Sequence, residues 1–177
     1  MKDELGDIKI EVKIDKENKT LHIIDKGIGM TEDEVNKYLN QMAFSSAEEF
    51  LSKYKDDATI IGHFGLGFYS AFMVADKVDV ITKSYKTDAP ANIWSCDGNP
   101  EYTIHPHDKT ERGTEIILHI NDENKEYLEE YRIKELLNKY CKFLPVEIKF
   151  GTKTESTWEG EGDGKQELKT EVDDIIN

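Results

Sequence analysis

The chain has 177 residues, of which 37% are hydrophobic and 34% are charged, and its formal net charge is −14. This length suits one domain with a real core, and the acidic charge argues against a nucleic-acid or anionic-membrane surface, since both require a basic patch. No apolar run is long enough to span a bilayer, and the N-terminus is not a signal peptide. Cys96 and Cys141 lie far apart, so we expect a cytoplasmic protein with two free, buried thiols.

The first forty residues are predicted to form a hairpin and a short helix. Apolar residues alternate with charged ones over residues 8–14, and a second strand is predicted over residues 20–24 after a polar turn. Thr31 and Glu34 have the spacing of a capping box, which predicts a helix from there to about Leu39.

The remainder of the chain alternates between apolar strands and amphipathic helices. The pattern predicts a helix through Ala75, strands over residues 78–82, 93–96, 102–104 and 115–120, a helix over residues 126–142, and a last strand over residues 145–150. The sum is an α+β fold, a two-layer sandwich in which a mostly antiparallel sheet carries helices on one face.

The composition changes at Gly151. Residues 151–177 contain three lysines against eight acidic residues, with Gly160, Gly162 and Gly164 interleaved. This pattern predicts a solvated linker or a loose hairpin, with Trp158 as its packing point, that leads out of the domain. We therefore expect a domain over residues 1–150, followed by an acidic tail over residues 151–177.

Three glycines, Gly62, Gly65 and Gly67, fall within six residues and are followed at once by an apolar stretch that predicts a helix. Glycines at a helix N-terminus expose backbone amides, and phosphate is the usual ligand of such a loop. A tight turn packed against a neighbour remains the simpler alternative. The Walker pattern is excluded because Phe68 and Tyr69 follow the last glycine, and no G-x-G-x-x-G occurs.

A second motif, D-x-G-x-G, begins at Asp25, directly after an apolar strand. A carboxylate there can accept a hydrogen bond from an exocyclic amine, while Gly27 and Gly29 let a flat ring approach the backbone. An ordinary turn is an equally good explanation of this motif alone. Thr114 follows Gly113 at the start of a predicted strand and can offer a hydroxyl to the same ring.

These motifs, in this order, resemble the Bergerat-type ATP site of the family that contains Hsp90 chaperones, DNA gyrase B, MutL and histidine kinases. The chain is most similar to the N-terminal domain of bacterial Hsp90. The resemblance is carried by residues 25–31, 62–72, 112–115 and 143–148, and it extends from about Gly6 to Phe150.

The resemblance implies a bound ATP or ADP, accompanied by Mg²⁺. Asp25 would hold the adenine amino group, and residues 40–61 would be the ATP lid. The base would be lined by Gly29, Met30, Leu39 and Thr114, with Ile116 behind it. The phosphates would be wrapped by the amides of Gly62, His63, Phe64, Gly65, Leu66, Gly67 and Phe68. The family also implies unfolded client proteins as partners and a homodimer of a longer parent protein, in which residues 151–177 would lead toward a middle domain.

The sequence departs from the family pattern in three places. The helix E-L-x-S-N-A-x-D-A, which carries the family's water-activating Glu and Mg²⁺-binding Asn, is expected before the first strand and does not occur in the sequence. Phe44 stands where the family often has a phosphate-reaching Lys, and Tyr38 where many relatives have an Asn. We interpret the first departure as an N-terminal truncation. A histidine-kinase-like phosphotransfer domain and a fragment that binds no nucleotide remain alternatives.

Residues 1–177 are therefore expected to bind adenine nucleotide at most and not to hydrolyse it, because the family's general base and metal ligand lie on that helix. The measurement is steady-state phosphate release from the purified chain. Turnover as fast as that of a chain carrying the upstream helix would show that the base lies within this sequence.

Overall fold

The computed structural model describes residues 8–40, 68, 70–97, 101–159 and 166–177. Eight strands form one sheet: β1 (Lys9–Asp15), β2 (Thr20–Asp25), β3 (Ala75–Lys83), β4 (Ala91–Cys96), β5 (Tyr102–His107), β6 (Gly113–Ile120), β7 (Glu147–Glu159) and β8 (Gln166–Ile175). The helical segments are α1 (Glu32–Val35), a π-helical turn (Asn36–Asn40), two 3₁₀ helices (Ser70–Met73 and Asp122–Leu128) and α2 (Glu130–Tyr140).

The strand order is β5-β4-β3-β6-β2-β1-β7-β8. Every neighbouring pair is antiparallel except β1 and β7, which run parallel. The mostly antiparallel α+β sandwich expected from the sequence is confirmed.

One face of the sheet carries the core. Alternate residues of the central strands point to this face, as the period of two in a strand requires, and their apolar side chains join one buried cluster. The helical segments cover the same face, since Val35 of α1, Leu128 of the second 3₁₀ helix and Ile133 of α2 are buried in that cluster. The strand contribution to the cluster is Val12, Leu21, Ala75, Val78, Val80, Trp94, Leu118, Ile120, Ile148 and Phe150.

Local chemistry explains the elements that were predicted most accurately. In the β1–β2 turn, the Asp15 carboxylate accepts hydrogen bonds from the backbone N–H and the side-chain amide of Asn18, at 3.0 and 2.7 Å. At α1, the Thr31 hydroxyl accepts from the Glu34 N–H at 3.3 Å, and the Glu34 carboxylate accepts from the Thr31 N–H at 2.8 Å. The capping box is confirmed, and hydrogen bonds from the Thr31 backbone and from Lys86 lower the pKa of Glu34.

Two helix predictions need correction. The helix after the glycine loop ends at Met73 rather than Ala75, because Ala75 already pairs with Ile120 in the sheet. The helix predicted over residues 126–142 is two helices, because Glu129 has extended backbone angles, φ −95° and ψ 127°, between the second 3₁₀ helix and α2.

The C-terminal predictions also need correction. The strand predicted over residues 145–150 is not the last one: β7 continues to Glu159 and pairs with β8. Of the two alternatives for this region, the described residues form the hairpin. Trp158 is not its packing point, since the residue is 65% exposed.

The two cysteines were expected to be free and buried. Both are free but only partly buried, and burial raises the pKa of the Cys141 thiol.

The opposite face of the sheet holds a polar cluster centred on Asp79. Its carboxylate lies 2.5 Å from the Ser95 hydroxyl, 2.7 Å from Nε2 of His119 and 3.2 Å from Nζ of Lys77. Burial of Asp79 acts to raise the pKa of its carboxyl, but the hydrogen bonds from Ser95, His119 and Lys77 outweigh it and hold the pKa below its usual value.

We expect Asp79→Asn to lower the free energy of unfolding at pH 7 by about 1–3 kcal/mol, because it weakens charge-assisted hydrogen bonds of a buried group. A folded-state pKa below the unfolded value gives stability that is present above the unfolded pKa, about 3.9, and is lost as the pH falls through the folded pKa. Urea unfolding at pH 7 and at pH 3 measures both effects, and the difference between variant and parent should shrink at pH 3.

Asp108→Asn is the matched control for Asp79→Asn, because the Asp108 side chain is fully exposed. It should unfold like the parent at both pH values. Equal destabilisation by the two substitutions would contradict a special contribution from the Asp79 cluster.

Candidate functional site

The strand register brings four polar side chains together at one end of the core face. Asp25 of β2 lies opposite Thr114 of β6, which lies opposite Thr82 of β3, and Thr82 lies opposite Asn92 of β4. We call these four residues the polar row. The next row on the same face is apolar and consists of Ile23, Ile116, Val80 and Trp94. The core face therefore changes from apolar to polar over two residues, at the end where the β2–α1 loop crosses the sheet.

Asp25 is half-buried at the end of β2. Its Oδ1 accepts a hydrogen bond from the Gly27 N–H at 2.8 Å, which fixes the carboxylate over the start of the loop. Among the described residues, no donor approaches Oδ2. The second oxygen is thus able to accept a hydrogen bond from a ligand.

The loop after Asp25 lies directly against the end of β3. Gly29 has φ +60°, and a Cβ built there would lie 1.9 Å from the carbonyl oxygen of Lys83. Two hydrogen bonds fix this contact: the Met30 N–H donates to the Thr82 hydroxyl at 2.9 Å, and the Tyr85 N–H donates to the Ile28 carbonyl at 2.8 Å. Only glycine fits at position 29, because other residues would meet both backbone strain and a steric clash.

A second glycine aligns β6 with β2. Gly113 has φ +117°, and a Cβ there would lie 2.1 Å from the carbonyl oxygen of Asp25. This close approach places Thr114 next to Asp25 and next to Thr82, whose hydroxyl oxygen is 3.0 Å from that of Thr114. Gly29 and Gly113 therefore allow the close backbone contacts that bring the residues of the polar row together.

Apolar residues adjoin the polar row. Leu39, at 8% exposure, belongs to the buried cluster, and Met30 and Ile116 pack against it. Phe68 packs against the cluster through edge contacts with Trp94 and Phe72, at ring-centre distances of 5.6 and 6.3 Å.

The described structure shows where seven of the predicted site residues lie. It brings Asp25, Gly29, Met30, Thr114 and Ile116 to one end of the core face, with Leu39 and Phe68 in the adjoining core. The predicted phosphate loop Gly62, His63, Phe64, Gly65, Leu66 and Gly67 lies outside the described residues, as do residues 41–61 of the predicted lid.

Sequence reasoning missed Thr82 and Asn92. Thr82 is fully buried and holds the loop through Met30, yet in the sequence it only ends an apolar strand. The sequence did offer one signal for Thr82: it ends an apolar strand two residues after a core position, so its side chain is expected on the core face. Asn92 offered no signal, because its burial depends on pairing with both β3 and β5.

A cavity of about 690 Å³ lies elsewhere, between β1, β7 and α2. Most of the charged side chains that line it are paired: Lys149 contacts Glu11 at 3.3 Å and the nearby Asp173 at 3.0 Å, and Lys134 contacts Asp174.

Two further observations on the described residues concern metal ions and membranes. No three His, Cys, Asp or Glu side chains in these ranges lie together so as to hold a metal ion. None of the helices described is both long and apolar enough to cross a membrane.

The chain is similar to known proteins of a single ATPase family. The family model for histidine kinase-, DNA gyrase B- and HSP90-like ATPases matches residues 4–126. The chain is 58% identical over 177 residues to the chaperone protein HtpG of Porphyromonas gingivalis, covering 99% of this chain and 25% of that protein. It is 59% identical, with the same coverage, to HtpG of Bacteroides thetaiotaomicron. HtpG of Pasteurella multocida is 46% identical over 150 residues, or 81% of this chain and 24% of the relative. The chain thus spans about a quarter of the length of these relatives.

Proposed function

Because this chain belongs to the family of histidine kinase-, DNA gyrase B- and HSP90-like ATPases, we propose that it is the adenine-nucleotide-binding domain of an Hsp90-type chaperone. The polar row is the observation that carries this proposal. It combines a carboxylate with an available oxygen and a neighbouring hydroxyl, at the edge of an apolar core that suits the faces of a flat base.

In this proposal Asp25 recognises the base. Its Oδ2 accepts a hydrogen bond from the exocyclic amine of adenine, while Oδ1 stays with the Gly27 N–H. The Thr114 hydroxyl is placed beside Asp25 to serve a ring nitrogen. Met30, Leu39 and Ile116 supply apolar contact to the base, and Gly29 lets the ring approach the backbone.

The phosphate-binding part of this proposal is based on the sequence alone. The amides of residues 62–68 are proposed to wrap the phosphates, as a glycine-rich loop before a helix would. Mg²⁺ would accompany the nucleotide, as the resemblance to the family implies, and would bind chiefly through the phosphate oxygens.

The chaperone role extends the proposal to a longer parent protein. It is supported by the similarity to HtpG over nearly the whole chain. Unfolded clients and a homodimer are the proposed partners, and residues 151–177 are proposed to lead from this domain toward the next one. The two free cysteines support a cytoplasmic location. No observation favours a phosphotransfer role.

Comparing ADP with inosine diphosphate tests this proposal. The two nucleotides differ where adenine carries its exocyclic amine, which inosine replaces by a carbonyl oxygen. ADP should bind the chain in calorimetry, and inosine diphosphate should bind at least tenfold more weakly, because two acceptors would face each other at Asp25. Equal binding of the two nucleotides, or no binding of ADP at all, would contradict the proposed function.

A further inference from the structure

Asn92 lies in the polar row, but within the described part of the chain its side chain has no hydrogen-bond partner. The residue is 2% exposed, and neither Nδ2 nor Oδ1 is bonded to a protein group there. A buried carboxamide offers two donors and an acceptor oxygen, and leaving them unused destabilises the folded state. Such groups are normally satisfied by protein or by internal water.

The surroundings of Asn92 identify its polar neighbour. On β5 it faces Pro106, and on β3 it faces Thr82. Helix α1 contacts β4 from above, and Val35 of that helix is fully buried. Asp25 lies three strand spacings from Asn92, roughly 14 Å. A base held by Asp25 therefore does not reach Asn92, and the only polar side chain beside Asn92 in the row is Thr82.

Hydrogen-bond accounting at Thr82 shows what a further donor would do. The hydroxyl has one proton and two lone pairs. One lone pair accepts the Met30 N–H at 2.9 Å, and the hydroxyl also lies 3.0 Å from the Thr114 hydroxyl and 3.4 Å from the Gly113 carbonyl. If Thr114 donates to Thr82, the second lone pair is filled. If another donor fills it, Thr82 must donate to Thr114 or to Gly113, and Thr114 keeps its own proton for a ligand.

We propose that Asn92 and Thr82 bind one internal water beneath α1, and that this water orients the Thr114 hydroxyl as a donor toward the bound base. The water accepts from Nδ2 of Asn92 and donates to the second lone pair of Thr82. Asn92 is then a positioning residue, acting on the ligand through Thr82 and Thr114. Only the last step, from Thr114 to the base, rests on the proposed function, because the hydration site requires no nucleotide.

The hydration site is tested on the nucleotide-free chain by NMR. A long-lived internal water next to Nδ2 should give a nuclear Overhauser effect between the Asn92 side-chain amide protons and water. The Asn36 side-chain amide, which donates to the Glu32 carbonyl at 3.1 Å on the surface, is the comparison for exchange with bulk solvent. Absence of this effect at Asn92 would overturn the proposal whatever the chain binds.

The positioning step is tested by a double-mutant cycle with Asn92→Leu and Thr114→Val, using ADP affinity from calorimetry. Alone, Asn92→Leu should weaken ADP binding by about three- to tenfold, the equivalent of one net hydrogen bond. In the Thr114→Val background it should change affinity less than twofold, because the hydroxyl that it orients is gone.

The cycle separates positioning from a merely structural role. Asn92→Leu removes a buried polar group and should not lower the thermal midpoint of unfolding. The same loss of ADP affinity in both backgrounds, or none in either, would overturn the positioning step. Failure of the parent chain to bind ADP would instead refute the proposed function and the step from Thr114 to the base, while the NMR result would still decide the hydration site.

Discussion

Replacing Gly29 by alanine is expected to lower the free energy of unfolding by about 2–5 kcal/mol. The left-handed backbone at φ +60° costs an alanine about 1–2 kcal/mol. The new Cβ would also lie 1.9 Å from the Lys83 carbonyl oxygen, and relieving such a clash in a packed region costs about 1–3 kcal/mol more. Because the loop would have to leave β3, the Met30–Thr82 hydrogen bond and nucleotide binding should be lost together. Urea unfolding and an ADP titration measure the two effects.

Gly151→Ala is the matched control for Gly29→Ala. Gly151 also has a left-handed backbone, at φ +73°, but a Cβ there would meet nothing within 4 Å. It should therefore cost only the backbone term of about 1–2 kcal/mol and leave ADP affinity unchanged. Equal destabilisation by the two alanines would show that the contact between Gly29 and Lys83 contributes nothing.

Asp25→Asn is expected to weaken ADP binding by about 10- to 150-fold. The substitution replaces a charged acceptor in the proposed base site, an interaction that contributes about 1.5–3 kcal/mol. An asparagine keeps one oxygen that can accept the Gly27 N–H, so the turn and the thermal stability should be preserved. Calorimetric titration of parent and variant with ADP gives the ratio of affinities.

Asp108→Asn serves as the control here as well, because it makes the same change in charge on a fully exposed side chain. It should bind ADP like the parent. Unaltered ADP affinity in Asp25→Asn would remove this residue from base recognition, and equal weakening by both substitutions would indicate a general effect of net charge.

The elements that were predictable from sequence are those whose causes are local. The β1–β2 hairpin follows from alternating apolar residues and from the Asp15–Asn18 turn, and the start of α1 follows from the Thr31–Glu34 capping box. Glycines with special backbone angles, Gly29 and Gly113, also left a local mark in the sequence motifs that contain them.

The features that the sequence missed or left open depend on distant partners. β8 exists because Gln166–Ile175 pairs with β7, and its exposed, charged residues show no buried face that a pattern would reveal. The polar row depends on the register of four strands that are separated in sequence, so Asn92 became visible only when β4 paired with β3, whereas Thr82 left a weak local signal at the end of an apolar strand. The break at Glu129 is a change of backbone within a helical pattern of apolar residues, which periodicity does not detect.

We propose the polar row as the base end of an adenine-nucleotide site. Titrating the ¹⁵N-labelled chain with ADP and following backbone amide shifts by NMR tests it most directly. The largest shifts should fall at Asp25, Met30, Thr82, Thr114 and Ile116, with little change around Asp79 and His119 on the opposite face of the sheet. Shifts centred on Asp79 and His119, or saturation with ADP that leaves Asp25 and Thr114 unmoved, would contradict the account.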